Sequence, residues 1–548
     1  MKNISEEIES LTKKLVSISS INTSEGEKKI AVYIEKYLRE IPYFKKNENQ
    51  IIIQKLKDDY LDRRNVFAYI QGKKDNNGDT IIFHGHMDTV GVDDFGSLKE
   101  YAFDCDELLN KMLSIDLPQE VHDDLVSGEW MPGRGACDMK SGVAVFLVLL
   151  KMLSERVDEL KGNILLSINP VEENLHTGII EGLEVLEKLK EEEGFNYRFA
   201  INNDYICPLY KGDQKRYVYM GSVGKLLPCF YIQGRETHVG QCFEGFDATR
   251  VAAALVEKVN LNTNFCDGYE GEYTLPPSVL KMKDLKEQYN VQTSFDAFVY
   301  FNYFVHNDGI NSIINKLKKI AKEACSEVMD NINSEYKKFC ALSGDSYHSY
   351  NYNFKVLSYE ELLERAEAEF GDKIDENLRN LTEKLVKENI DKRELPIYLI
   401  KYLLGELKEK NPIVVLYFAA PYCPHNTLKK EIESERKLKE EITAIVKEFG
   451  EEVNETYEVM QFFPILTDSS YIKIDDDEKS IEALIRNFPQ YDVLYPVPLK
   501  KIKSLDIPAL DYGCYGKDAH KWTERVYKPY SFEVLPKLIL KTIEHYLL

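Results

Sequence analysis

Apolar positions give the chain its first outline. Between residues 5 and 41 apolar groups recur at helical spacing (Ile8, Leu11, Leu15, then Ile30, Val32, Ile34 and Leu38), which predicts helix. Short apolar runs at 65–70, 80–83, 163–169 and 198–202 predict buried strands, and 142–153 predicts a long apolar helix entered through a glycine-rich turn. Strands that alternate with helices predict an α/β fold built on a mainly parallel sheet. The pattern changes near Gly221. A strand at 225–233, an amphipathic helix at 247–259, strands at 279–291 and 294–305, a long helix at 310–338 and a strand at 351–357 follow in turn. That βαββαβ order is ferredoxin-like and predicts a small α+β domain inserted into the larger one. Residues 359–410 read as a charged helical extension with a solvated face. The apolar run at 413–420 reads as a central strand with which the first domain resumes. The predicted division is therefore 1–221 and 411–548 for the first domain, 222–358 for the insertion and 359–410 for the extension.

At 548 residues more than one core is expected. A net charge of −22, from 70 Lys and Arg against 92 Asp and Glu, argues against a nucleic-acid partner bound by wide phosphate neutralisation. No uncharged apolar run reaches the roughly 18 residues that would cross a bilayer. The acidic, polar start of the chain has no apolar core of a signal peptide, so a cytoplasmic protein is expected. The ten cysteines include no C-x-x-C pair and read as reduced, partly buried thiols rather than a disulfide framework.

Chemistry is concentrated in five short segments. His86 and Asp88 form an H-x-D pair on one strand face, where the carboxylate can orient the imidazole. Asp138 lies in a glycine-rich turn, within Gly133-Arg134-Gly135-Ala136-Cys137-Asp138-Met139-Lys140-Ser141-Gly142. Glu172 and Glu173 follow a buried strand, at the edge where α/β sheets bind ligands, and Asp204 follows another. His520 comes late, in Asp518-Ala519-His520-Lys521-Trp522-Thr523-Glu524. Taken singly, each has a bland reading as a satisfied polar pair or a solvated face. Together they leave several acids at apolar strand ends, where burial without a cation would be costly. A two-metal site accounts for all of them.

In order and local sequence these segments resemble the aminoacylase/carboxypeptidase family of two-zinc hydrolases. Chain length and the Asp468-Ser469-Ser470-Tyr471 segment are most similar to its bacterial arginine-utilisation branch. The resemblance makes the first domain catalytic and the insertion a lid. It implies one divalent ion on His86, Asp138 and Asp204, and a second on Asp138, Glu173 and His520, with Asp138 bridging. Mixed nitrogen and oxygen ligation suits Zn2+, with Mn2+ or Co2+ as alternatives. Glu172 is the implied general base, Asp88 the residue that orients His86, and His238 the lid residue that binds the substrate carbonyl oxygen.

One departure concerns the lid strand 297–304, where Asn302 stands in place of the arginine that many members use to clamp a substrate carboxylate. His84 reads as a supporting or packing residue, Cys137 as a bystander, and Cys423 with His425 as structural. The expected activity is hydrolysis of small N-acylated amino acids or short peptides, in the catabolism of arginine or another amino acid. An aminopeptidase or dipeptidase is the alternative, and a non-catalytic metal-binding regulatory protein the rival of another class. The partners expected are a small amide or peptide substrate, no membrane, and a second copy of the chain paired through the lid.

Overall fold

The computed structural model describes residues 2–74, 77–371 and 373–548. The chain forms two compact units, one of residues 1–222, 426–474 and 498–548, the other of 223–425 and 475–497.

The first unit is built on an eight-stranded sheet, in the order Ile51–Lys55, Arg64–Gln71, Asn163–Asn169, Asp79–His86, Asn196–Asn202, Ala509–Asp511, Arg216–Tyr219 and Tyr457–Met460. Its centre is parallel, because Asp79–His86 pairs in parallel with both Asn163–Asn169 and Asn196–Asn202, and the latter continues in parallel to Ala509–Asp511. Antiparallel pairings bring in the Ile51–Lys55 edge and join Arg216–Tyr219 to the centre. The central strands are buried almost throughout, so they read as continuous apolar runs rather than as alternation. Helix Ser141–Ser154 (SGVAVFLVLLKMLS) is apolar on nearly every face and is buried along all but two of its residues. The predicted helical stretch 5–41 is two helices, Lys2–Val16 and Gly26–Glu40. Gly26 opens the second of them because a side chain there would strike the Ser19 carbonyl.

The second unit carries a sheet in the order Gly224–Leu226, Asp296–Val305, Pro228–Gln233, Ile413–Phe418, Lys355–Ser358, with Ser278–Asp284 also paired to Asp296–Val305. Helices Ala248–Val259 and Ile310–Ser343 pack together and against this sheet. Here the structure corrects the predicted division. Ile413–Phe418 does not return to the first sheet; it pairs antiparallel with Pro228–Gln233 and parallel with Lys355–Ser358. Helices Tyr359–Phe370, Lys373–Lys387 and Leu395–Glu406 lie between those two parallel strands in the chain and form part of their crossover. Residues 475–497, with helix Glu478–Arg486, also belong to this unit rather than to the first. The physical reason is that IVVLYF is buried at every position, and such a strand fits the centre of either sheet equally well. Among the described residues no helix is long and apolar enough to cross a membrane.

Candidate metal centre

Three of the expected ligands and the expected base lie where parallel strands of the first unit end. His86 is the last residue of Asp79–His86, Glu172 and Glu173 come just after Asn163–Asn169, and Asp204 just after Asn196–Asn202. Parallel register brings these ends to one edge of the sheet. Asp138 reaches the same place from the turn Ala136–Lys140 that enters the apolar helix. Gly142, in the first turn of that helix, lies against the next strand end. A Cβ there would meet the Asn203 carbonyl oxygen at 2.1 Å, so only glycine permits this close approach.

Asp138 is the hub. Its Oδ1 is 3.1 Å from His86 Nε2 and its Oδ2 is 3.0 Å from His520 Nε2, so its two oxygens face two different imidazoles. Glu173 Oε1 is 2.9 Å from the same His520 nitrogen. Ligand atoms of His86, Asp138 and Glu173 all lie within 4.8 Å of one another. Glu172 is buried beside this group, with Oε2 4.0 Å from His86 Nε2.

Several buried groups hold the arrangement. Asp88 Oδ1 lies 3.6 Å from His86 Nδ1 and accepts the Glu172 N–H at 3.1 Å; its Oδ2 accepts the Glu173 N–H at 3.1 Å and the Asn22 amide at 2.9 Å. One carboxylate thus holds the backbone of both glutamates and faces the histidine ring. Glu27 takes the Val171 N–H at 3.1 Å and the Thr23 N–H at 2.9 Å, and pairs with Arg63 at 3.2 Å. Glu524 accepts the N–H groups of Cys137 and Asp138, and is paired with Arg134 at 2.7 Å. The turn that carries His520 is braced in its own right, since Arg525 and Thr523 both donate to Asp518.

Electrostatics supply the test of whether a cation fits. Burial, together with the neighbouring Asp138 charge, pushes the Asp204 carboxyl up to about 8. Burial also drives Glu172 well above the carboxylate range, against the pull of His86 and His176. Burial should lower both histidines, yet contacts with Asp138 and Asp88 hold His86 well above its ordinary value, and contacts with Asp138 and Glu173 push His520 up to about 12. Without a cation, then, the site retains protons to relieve its crowded acids. Two imidazoles and three carboxylates form a mixed donor set suited to a zinc-like ion, so the residues fit a divalent metal.

At pH 7 His86 and His520 lie below their raised values and hold a proton, and Asp204 lies below its value of about 8 and is neutral. Ligation needs neutral imidazole and ionised carboxylate. Zinc titrated into the metal-free protein at pH 7 should therefore release protons. Calorimetry in buffers of different ionisation enthalpy should give heats that change with the buffer; buffer-independent heats would overturn this ligand set.

His238 and Asn302 belong to the second unit. His238 is exposed ahead of the short turn Val239–Glu244, and its Nδ1 accepts the Gly240 N–H at 3.0 Å. Asn302 is half-buried on strand Asp296–Val305, opposite Ser278. His84 is buried behind His86, and burial lowers it to about 4. Cys137 is buried and its thiol is raised, first by burial, so it stays a protonated bystander. Sequence reasoning assigned no role to Glu27, Arg63, Arg134, His176 or Asp468. Arg134 and Glu524 did stand inside the quoted motifs, and Asp468 inside the segment that marked the branch.

Comparison with known proteins identifies the family. The family model described as Peptidase family M20/M25/M40 matches residues 82–481. Protein RocB of Bacillus subtilis (strain 168) is 39% identical over 545 residues, spanning 100% of this chain and 96% of its own length. Human carnosine dipeptidase 1 superposes with a TM-score of 0.52 at 11% identity, over 99% of this chain and 97% of that one. The YXEP protein of Bacillus subtilis, a dinuclear metal-binding peptidase from the M20 family, superposes with a TM-score of 0.50 at 11% identity, over 100% of this chain and 99% of that one. At such identities the structural likeness speaks for the fold alone.

Proposed function

The chain belongs to peptidase family M20/M25/M40 and is a hydrolase of that metallopeptidase class, and from that premise we propose that it cleaves the amide bond of small N-acylated amino acids or short peptides with two divalent metal ions. The observation that carries this reading is Asp138, whose two oxygens face His86 and His520 separately while Glu172 lies buried alongside. One ion would be held by His86, Asp138 and Asp204, the other by Asp138, Glu173 and His520, with zinc as the expected metal. When bound, such ions polarise the scissile carbonyl and acidify water.

The chain's own residues do the rest. Glu172 takes the proton of the attacking water at its carboxylate and delivers it to the nitrogen of the departing amine. Asp88 keeps the glutamate backbone and the His86 ring in register for that transfer, through the contacts given above. Buried walls around Glu172 exclude bulk water and keep the carboxylate from being solvated.

The second unit acts as a ferredoxin-like lid. In support, its sheet places Ser278–Asp284, Asp296–Val305, Pro228–Gln233 and Ile413–Phe418 side by side, with two helices against them. In this reading His238 supplies a donor to the substrate carbonyl oxygen and Asn302 lines the pocket. An amide there cannot clamp a carboxylate as an arginine does, which favours substrates without a free carboxylate at that point. The proposed setting is amino-acid catabolism in the cytoplasm, with the lid as the surface for a second copy; the resemblance to the arginine-utilisation branch supports the catabolic role.

Elemental analysis, with a panel of N-acyl amino acids and dipeptides that includes arginine derivatives, tests the reading. About two ions per chain and turnover of at least one panel member are expected. Hydrolysis confined to dipeptides with a free amine would move the assignment to a dipeptidase. Protein that resists loading with zinc, manganese and cobalt would overturn it.

A further inference from the structure

Glu172 has a second neighbourhood on the side away from the expected ligands. Its Oε2 is 4.0 Å from His86 Nε2, but its Oε1 is 3.9 Å from Nδ1 of His176. That nitrogen is hydrogen-bonded at 2.9 Å to Asp468 Oδ1. Glu172, His176 and Asp468 are all buried, with ligand atoms within 4.8 Å of one another.

The chain makes an effort to present this histidine. His176 takes a left-handed backbone conformation (φ 53°) immediately before helix Thr177–Glu192, and its N–H donates to the Val171 carbonyl at 2.8 Å. That bond closes the loop around Glu172 and Glu173. Asp468 is held just as firmly. Thr467, which caps its turn, accepts the Asn202 amide at 2.8 Å, and Ser470 bonds Ser222 at 2.7 Å. The Tyr471 ring lies 5.1 Å from the His176 ring. The Asp468–Tyr471 segment therefore supplies both the carboxylate that orients the imidazole and an aromatic wall beside it. Asp468 Oδ2 has no hydrogen-bond partner among the described residues, so the aspartate's contact to His176 is its main compensation for burial.

We propose that His176, oriented by Asp468, is a positioning residue for Glu172, holding the carboxylate with Oε2 turned to the metal-binding residues and Oε1 turned to the imidazole. A glutamate has three side-chain torsions, and the last is broad and roughly two-fold. Asp88 binds only the backbone N–H of Glu172, so it does not settle that last torsion. The His176 ring does: held by Asp468, its Nδ1 edge stands 3.9 Å from Oε1, a polar contact on that oxygen's side alone, and Oε2 is left for the substrate. This inference rests on Glu172 being the base of the proposed hydrolase.

With the substrate that turns over best in the panel, His176→Ala and Asp468→Asn should each lower kcat about 10- to 100-fold, the range typical of residues that orient a site from behind. KM should stay within about two-fold and metal content close to the parent's, while the thermal midpoint of His176→Ala should fall, because buried Asp468 loses its partner, and recover in His176→Ala/Asp468→Asn. His176→Gln keeps a side-chain amide that can bond Asp468 and stand beside Oε1, and should recover part of the loss. The double variant His176→Ala/Asp468→Asn should be no slower than His176→Ala, since the two act as one unit. A crystal structure of zinc-loaded His176→Ala should show the Glu172 carboxylate turned or disordered, a readout independent of turnover. Turnover lost in Glu172→Gln but kept in His176→Ala would overturn this inference and leave the hydrolase standing. So would three ions per parent chain falling to two in His176→Ala, which would make the triad a third cation site. An unmoved Glu172 carboxylate in the variant structure would overturn it as well.

Discussion

Glu172→Gln should lower hydrolysis about 10²- to 10⁴-fold and leave both metal ions bound. The change keeps shape and volume but removes the only property the reaction needs from this side chain, the capacity to take up and release a proton. Neighbouring ligands should be undisturbed, because the Glu172 carboxylate makes no hydrogen bond to any of them, its Oε2 standing 4.0 Å from His86 Nε2, and its backbone N–H stays on Asp88. Burial already pushes the Glu172 carboxyl well above its ordinary range, with the Glu173 and Asp468 charges adding to the effect. A neutral amide should therefore be tolerated in the metal-free protein, with an unchanged or raised thermal midpoint. The check is kcat alongside metal content and thermal unfolding of the same preparation. Activity within a few-fold of the parent would place the base elsewhere, and loss of an ion would make Glu172 a ligand.

Residues that bind in this site were legible in the sequence because they stand at strand ends. Parallel strands buried on both faces appear as apolar runs, and His86, Glu172, Glu173 and Asp204 are the polar groups that interrupt or follow those runs. Residues that hold the site were not legible in the same way. Glu27 lies in the first turn of a helix, among lysines and another glutamate, and looks like part of a solvated face. It is buried only because Arg63 and the Val171 N–H reach it from elsewhere in the chain. His176 and Asp468 are separated by 292 positions, and nothing local to either announces the other. The same limit governs the fold. The run 413–418 is an unmistakable buried strand, but its membership of the second sheet depends on Pro228–Gln233 and Lys355–Ser358, which offer it pairing partners on both sides. Local pattern states what an element is. Which sheet or site it joins is decided by long-range pairing, and chemistry-bearing residues reveal it only when they recur together.

Arg134→Met should destabilise the first unit by about 3–5 kcal/mol, the usual cost when one partner of a buried ion pair is removed, and should weaken metal binding with it. Arg134 is 1% exposed, and its guanidinium is almost fully used. One end pairs with Glu524 at 2.7 Å, the other donates to both oxygens of Asp94 at 2.9 Å, and Nε donates to the Gly91 carbonyl at 3.1 Å. Glu524 is equally buried, and its other oxygen accepts the N–H groups of Cys137 and Asp138. The pair therefore ties the segment that presents His520 to the turn that presents Asp138. Burial already raises Glu524 to about 7, with Arg134 as the main opposing influence. Removing the arginine leaves that carboxylate next to Asp138 without its main compensating charge, with His520 as the lesser one that remains. If the orphaned charge is the main cost, Glu524→Gln added to Arg134→Met should restore part of the stability, because the amide needs no counter-charge and can still accept the two N–H groups. Lysine at position 134 should recover less than the double variant, since it cannot bridge Glu524, Asp94 and Gly91 at once. Thermal unfolding and zinc content of the single and double variants decide the matter. A double variant no more stable than Arg134→Met would mean that the arginine acts through packing over the Phe95 ring, 5.1 Å away, rather than through Glu524.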